Sequence, residues 1–222
     1  YSSAYVTMNA RALMNFLSLR TKREGSHFPS FPQREIEMVA EKYEVTRAQQ
    51  DAWAAQSHQR AVAAELAGKF DKERFTVELK GKKGEVTPFS KDEGPRADTT
   101  ADALAKLKPV FKPQGGSVTA GNASTINDGA SALVVMDGDE ARRRGIRPLA
   151  TITGYATGGM APEWVMMAPE IAVKKVCAIS GVAPQKYDLI ELNEAFAVQS
   201  VALARVLDLD PGKVNVHGGA VA

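Results

Sequence analysis

The 222-residue sequence predicts an α/β fold, and three observations predict it. From Gly115 onward, apolar runs of strand length alternate with segments of helical period. The turns between them are rich in Gly, Asn and Ser. The composition, 44% apolar and 24% charged residues, is that of a globular chain. Strands separated by helices of this length form βαβ units in a mixed sheet.

The elements follow in order. Between Ala4 and Arg20, Val6, Leu13, Met14, Phe16 and Leu17 are dense enough for a mostly buried helix, and a loop with Gly25, Pro29 and Pro32 ends it. Ile36, Val39, Ala40 and Tyr43 then repeat with the spacing of a second amphipathic helix. Thr46 and Gln49 form a capping-box pattern ahead of a long helix, expected to bury Ala52, Ala55, Val62 and Leu66 and to stop near Gly68. Phe75, Val77 and Leu79 alternate as in a half-exposed strand, GKKGE turns the chain, and Thr100 caps a short helix through Leu107. The stretch GGSVTAGNASTINDGAS leads into the apolar SALVVM, the short helix DGDEARRRG and the strand-like LATITGYA. Pro169 suits the first turn of a helix carrying Ala172, Val176 and Ile179. YDLIELN then reads as a strand, AFAVQSVALARVL as a helix and VNVHGG as a further strand.

Composition narrows the function classes. No apolar run approaches the about 20 residues that span a bilayer, and the first residues lack a signal-peptide layout, so a cytoplasmic protein without membrane contact is expected. A single cysteine, Cys177, makes no internal disulfide, and the three scattered histidines lack metal-ligand spacing, so no metal is expected. Of 28 basic and 26 acidic residues, six and four lie in residues 1 to 43, which leaves 22 of each sign. That neutral remainder offers no electrostatic case for a nucleic-acid partner.

The most informative residues are NEAF, Asn193 to Phe196, where a predicted strand gives way to a helix. Ligands collect at such an edge because free N–H groups and the helix dipole face it. Asn193 is short, neutral and held by the turn, so it suits fixing a water or polarising an acyl oxygen. An Asn/Glu pair capping the next helix accounts for the same residues. Thr119 to Ser131 packs small residues closely enough for a ligand to approach the backbone, with Ser124 as a donor; a flexible loop is the alternative. Cys177 has Lys174 and Lys175 nearby, but its apolar neighbours predict a buried, inert thiol. His58, in QSHQR, reads as a solvated helix-surface residue. His217, at a strand end, is the better site candidate, with a structural role as its alternative.

The segments VAEKYEVTRAQQDAWAAQSHQRAVAAELAGKFDKE, LAKLKPVF, VTAGNASTINDGASALVVM, RGIRPLATI, YDLIELNEAFAVQS and VNVHGGAVA stand in the order seen in thiolases. Residues 39 to 222 resemble that family. The resemblance implies a partial thiolase-like α/β fold, with a loop domain at 43 to 115 and an incomplete second βαβαβ core half at 116 to 222. It implies acyl transfer between acyl-CoA thioesters and CoA, by Claisen condensation or thiolysis, with the CoA thioester as substrate and no further cofactor. It also implies a homo-oligomeric parent. Asn193 matches the asparagine that holds the oxyanion-hole water. Ala195 and Phe196 match pocket residues beside the CoA pantetheine, and Phe111, Ala120 and Ser124 resemble CoA-contacting residues. In the family a cysteine thiolate takes the acyl group, the histidine of a Gly-His-Pro motif activates it, and a second cysteine moves the α-proton. None of the three falls within these residues, and the sequence stops at GGAVA, just ahead of where Gly-His-Pro would stand. His217 replaces the asparagine usual at its position. A fragment without turnover is the expectation.

The N-terminal stretch NARALMNFLSLRTKREGSHFPSFPQREIEMVAEK resembles instead the C-terminal part of flavin-dependent thymidylate synthases, which methylate dUMP using FAD and a folate. This implies a helical fragment of separate origin over residues 1 to 42, its two helices preceding the thiolase-like part. Asn9, Arg11 and Asn15 would contact the flavin and Arg20 the nucleotide, since an arginine fork suits an anion. A helix with solvated arginines is the alternative. The two patterns meet at VAEKY, Val39 to Tyr43, the expected junction of two unrelated sequences.

Overall fold

The computed structural model describes residues 33–81, 84–127 and 129–222. The helix expected from Ala4 to Arg20 lies outside them, as do Asn9, Arg11, Asn15 and Arg20. The first described element, α1 (Gln33–Lys42), forms where the apolar spacing predicts, and Ile36, Val39 and Ala40 are buried along one face. Thr46 caps α2 (Arg47–Leu66) with the expected capping box. Its hydroxyl accepts the Gln49 N–H at 3.3 Å, while the Gln49 side chain accepts the Thr46 N–H at 2.9 Å.

The buried face of α2 differs from the one expected. Ala55 is buried, but Ala52 and Leu66 are exposed and Val62 is only half-buried. Gln50, Asp51, Ser57 and His58 point inward instead, alongside Ala54, Ala61 and Ala64. Small alanines leave room for polar side chains that find partners inside, so polarity alone misplaces this face.

A hairpin of β1 (Val77–Lys80) and β2 (Val86–Phe89) follows, antiparallel with Val77 opposite Phe89 and exposed throughout. The short α3 (Ala101–Ala105) is capped by the Thr100 hydroxyl, which accepts the Ala103 N–H at 3.2 Å. The Asp137 carboxylate caps α4 (Gly138–Arg143). A 3₁₀ turn at Pro162–Met167 runs into α5 (Ala168–Ser180), which has Pro169 in its first turn and Gly181 at φ 68° beyond its end. On α5, Ala172 and Val176 are buried, but Ile179 is exposed. The last helix is α6 (Ala197–Val206).

The main core gathers Ile36 and Val39 of α1, Val198 and Leu203 of α6, Met167, Val118 and Val214. α2 packs against both α6 and α3. An Arg205 guanidinium N–H donates to the Tyr43 carbonyl at 2.6 Å and ties the end of α6 to the turn after α1.

The strands expected in the second half form only single bridges. YDLIELN and VNVHGG run parallel at Ile190 and Val214: Ile190 N–H donates to Lys213 C=O, and Asn215 N–H to Ile190 C=O, each at 2.9 Å. SALVVM and LATITGYA belong to no ladder among the described residues. Leu133 and Val134 are each 86% exposed and Ile152 is 70% exposed. Their apolar runs are those of strands buried on both faces, yet no described segment runs alongside to take up their backbone groups. No described helix is long and apolar enough to cross a membrane.

Two substitutions separate the core from this bare ribbon. Ile36→Ala is expected to cost about 2–5 kcal/mol in chemical denaturation, because it opens a cavity at a fully buried site. Val134→Lys is expected to change stability by less than about 0.5 kcal/mol and to reduce self-association in light scattering.

Candidate functional site

Burial alternates along residues 191 to 194, so successive side chains face opposite ways. Leu192 and Glu194 turn inward and are buried, while Glu191 and Asn193 are half-buried. A carboxylate taken out of water must have its oxygens met by donors, and those of Glu194 are. One oxygen accepts the Trp53 indole N–H and the Asn215 amide, both at 2.9 Å. The other accepts the Ser57 hydroxyl at 2.7 Å and the Val221 N–H at 3.1 Å.

Asn215, at φ 46°, plays the part of a neighbouring strand. Its side-chain oxygen accepts the Leu192 N–H at 2.7 Å, and its amide donates to the Leu192 C=O at 2.8 Å. The following glycines allow close approach. Gly218 has φ 82°, where a Cβ would lie 2.6 Å from the Ser57 carbonyl oxygen, and a Cβ at Gly219 would collide with the Glu194 carboxyl. The Gly219 N–H donates to the Ser57 hydroxyl at 2.9 Å.

The loop Thr119 to Asn127 reaches the same turn from the other side. Ala123 and Phe196 form an antiparallel bridge, with Ser124 N–H donating to Ala195 C=O at 3.1 Å and Ala197 N–H to Asn122 C=O at 2.9 Å. Buried Asn122 anchors the loop by donating to the Asp51 carboxylate at 2.9 Å and accepting the Thr119 N–H at 2.8 Å. Asp51 is in turn paired with Arg47 at 2.7 Å. The rings of Phe111 and Phe196 meet edge to face, with centroids 6.2 Å apart.

The structure thus brings Phe111, Ser124, Ala195 and Phe196 into one neighbourhood beside Asn193. The Ala195 side chain is itself buried, and Ala120 is exposed on the turn that precedes Ser124. Asn193 and Glu194 do not cap α6: its N-cap position is Phe196, and no side chain caps it. The Asn193 side chain has no hydrogen-bond partner among the described residues, which leaves it open to a ligand or water. Burial raises the pKa of the neighbouring Glu191, and the Glu194 carboxylate raises it further.

The remaining candidates separate clearly. The Cys177 thiol is pushed up by burial, offset in part by a hydrogen bond with Tyr187, so its lysine neighbours do not activate it. Lys174 pairs with Glu170, and Lys175 donates to the Thr157 C=O. His58 is buried rather than solvated, because its Nδ1 accepts the Arg96 N–H at 3.1 Å and so pins the 96–99 segment to α2. Burial lowers its pKa first and Arg96 second, against the opposing pull of Glu194 and Asp98. His217 is exposed and packs edge-on against Phe70 at 6.0 Å. Sequence reasoning missed Glu194, Asn215 and Asn122 as the residues that build the site; the Gly218–Gly219 pair was the available signal for close backbone approach. Among the described residues, no His, Cys, Asp or Glu cluster could hold a metal ion.

Residues 34–139 match the family model for the thiolase N-terminal domain, and residues 146–222 match the thiolase C-terminal domain. An acetyl-CoA acetyltransferase of Pseudomonas aeruginosa is 47% identical over 186 residues, covering 84% of this chain and 47% of that protein. Beta-ketothiolase BktB of Cupriavidus necator is 46% identical over the same shares. The crystal structure of the Bacillus anthracis acetyl-CoA acetyltransferase superposes with a TM-score of 0.82 at 43% identity, over 85% of this chain and 48% of that one. Human mitochondrial 3-ketoacyl-CoA thiolase gives 0.80 at 42% identity, over 85% and 47%. The chain spans about half the length of the curated relatives it matches, at 47% of each.

The His58 geometry sets a pH dependence. A histidine whose pKa is lowered by folding contributes stability that is complete above its unfolded value, about 6.5, and is lost as pH falls through the lower folded value. Thermal midpoints are therefore expected to fall between pH 7.5 and pH 5, and His58→Gln is expected to flatten that slope.

Proposed function

We propose, on the premise that this chain belongs to the thiolase family, that its residues supply the CoA-binding and oxyanion-stabilising part of an acyl transfer between acyl-CoA thioesters and CoA. The observation that carries the proposal is the bridge that joins the Ser124 loop to Ala195 and Phe196 beside Asn193, whose amide has no hydrogen-bond partner among the described residues. When a thiol or carbon nucleophile attacks a thioester, negative charge gathers on the carbonyl oxygen. A neutral amide, or a water it holds, stabilises that charge most when it is already aimed and free of competing partners. The Phe111 and Phe196 ring edges would give the pantetheine arm an apolar wall, and the Ser124 hydroxyl would give it a donor. The names of the relatives favour acetyl-CoA as the acyl donor. Self-association is the family expectation for such a chain.

The chemistry also needs an activated thiol. Cys177, the single cysteine, has its thiol pushed up rather than down, so it does not take the acyl group. The 222-residue chain by itself should therefore bind CoA without turning it over. Residues 1–42, of which those from 34 onward also fall within the thiolase match, carry a second reading, as a remnant of a flavin-dependent thymidylate synthase with Asn9, Arg11 and Asn15 toward FAD and Arg20 toward the nucleotide. It is favoured by the NARALMNFLSLR pattern and by a thiolase match that starts at residue 34. Retention of flavin absorbance after dialysis against FAD would support it, and a colourless protein would remove it.

Calorimetric titration is expected to show CoA binding to the chain and its loss in Ser124→Tyr, where the added ring fills the loop. Acetoacetyl-CoA thiolysis should stay at the catalyst-free rate. No CoA heat, or binding unchanged in the variant, would overturn the proposal.

A further inference from the structure

Glu194 is 1% exposed and accepts four hydrogen bonds, from Trp53, Ser57, Asn215 and Val221. We infer that Glu194 is the positioning residue of the Asn193 site, the group that fixes where the free amide points. The inference rests on the reading of Asn193 as the oxyanion-side residue.

Three features of the geometry support it. Burial alternates from Glu191 to Glu194, with Asn193 half-buried and Glu194 buried, so the two neighbouring side chains leave on different faces, and holding one inward aims the other outward. Both Glu194 oxygens are held, and two of their donors, Trp53 and Ser57, stand one turn apart on α2, so the carboxylate meets a helical platform rather than a mobile loop. Asn193 is also bracketed. Leu192 before it exchanges two hydrogen bonds with the Asn215 side chain, and that same Asn215 amide donates to Glu194 after it.

The same carboxylate places the 219–221 stretch against the turn. Gly219 comes so close that a Cβ there would strike the carboxyl, and Val221 donates its N–H. A site residue with no side-chain partner among the described residues thus owes its direction to its neighbour.

The test compares 15N-labelled 222-residue chains. The Asn193 side-chain amide pair is identified by its disappearance in Asn193→Ala. Glu194→Gln keeps the shape but exchanges one acceptor oxygen for an amide. It is expected to shift or split the Asn193 amide pair and to weaken CoA binding about tenfold, measured well below the thermal midpoint. Val39→Ala, a core truncation elsewhere, is the stability reference: it should lower the thermal midpoint yet leave the Asn193 pair in place and CoA affinity within about twofold. If Glu194→Gln fails to fold, Trp53→Phe removes one donor and is read the same way. A lowered midpoint with an unmoved Asn193 pair and unchanged affinity would reduce Glu194 to a structural bolt and overturn the inference. A wild-type chain that binds no CoA would overturn the proposed function, while the response of the Asn193 pair would still decide the positioning role.

Discussion

The carboxylate of Glu194 joins stretches of chain that lie far apart in sequence: the middle of α2, the turn before α6, and the 215–221 segment. Buried as it is, it is stable only while its donors are present, because a carboxyl group out of water has no other source of compensation. Each donor is therefore committed to one place. Trp53 and Ser57 fix the rotation of α2, Asn215 fixes the left-handed turn just after the Val214 bridge, and Gly219 must lack a side chain. The apolar core beneath adds strength, but non-directional packing of Val198, Leu203 and Val214 would tolerate sliding that the carboxylate does not.

A second buried carboxylate works in the same way one layer across. Asp51 receives Asn122 and pairs with Arg47, whose guanidinium also donates to the Leu104 C=O at 2.6 Å. A third, Glu37 of α1, accepts the N–H groups of Ser117 and Val118, each at 3.0 Å. The loop from 117 to 124 is thus tied to α1, α2 and the Phe196 turn by directional bonds. That explains how a stretch rich in Gly, Ser and Asn is held in one place. Phe111, Ser124 and Phe196 sit at the rim of these anchored points, and the ribbons at 130–137 and 146–157, which join no ladder among the described residues, lie outside them.

Much of this was legible in the residues. The capping box at Thr46, the Thr100 cap, Pro169 in the first turn of α5 and the apolar face of α1 each rest on contacts within a few positions, and each appears as expected. The buried face of α2 was not legible, because Gln50, Asp51, Ser57 and His58 become interior residues only when partners arrive from 45, 122, 194 and 96. His58 shows the point most simply: in QSHQR it is surrounded by polar residues, and burial comes from a loop nearly forty positions away. The expected strands failed as ladders for a related reason, since an apolar run specifies that a segment seeks burial but not which neighbour supplies it.

By itself the sequence determined the helices, their caps and the family pattern that places Asn193, Phe196 and the Ser124 loop in one motif set, because these depend on local spacing and side-chain type. Only the tertiary structure decided that Asn193 is no cap and has no side-chain partner among the described residues, and that Glu194 beside it is the buried anchor. The physical reason is the same in each case. Hydrogen-bond satisfaction and desolvation are properties of an environment assembled from distant segments, and a residue's own neighbours along the chain do not reveal them.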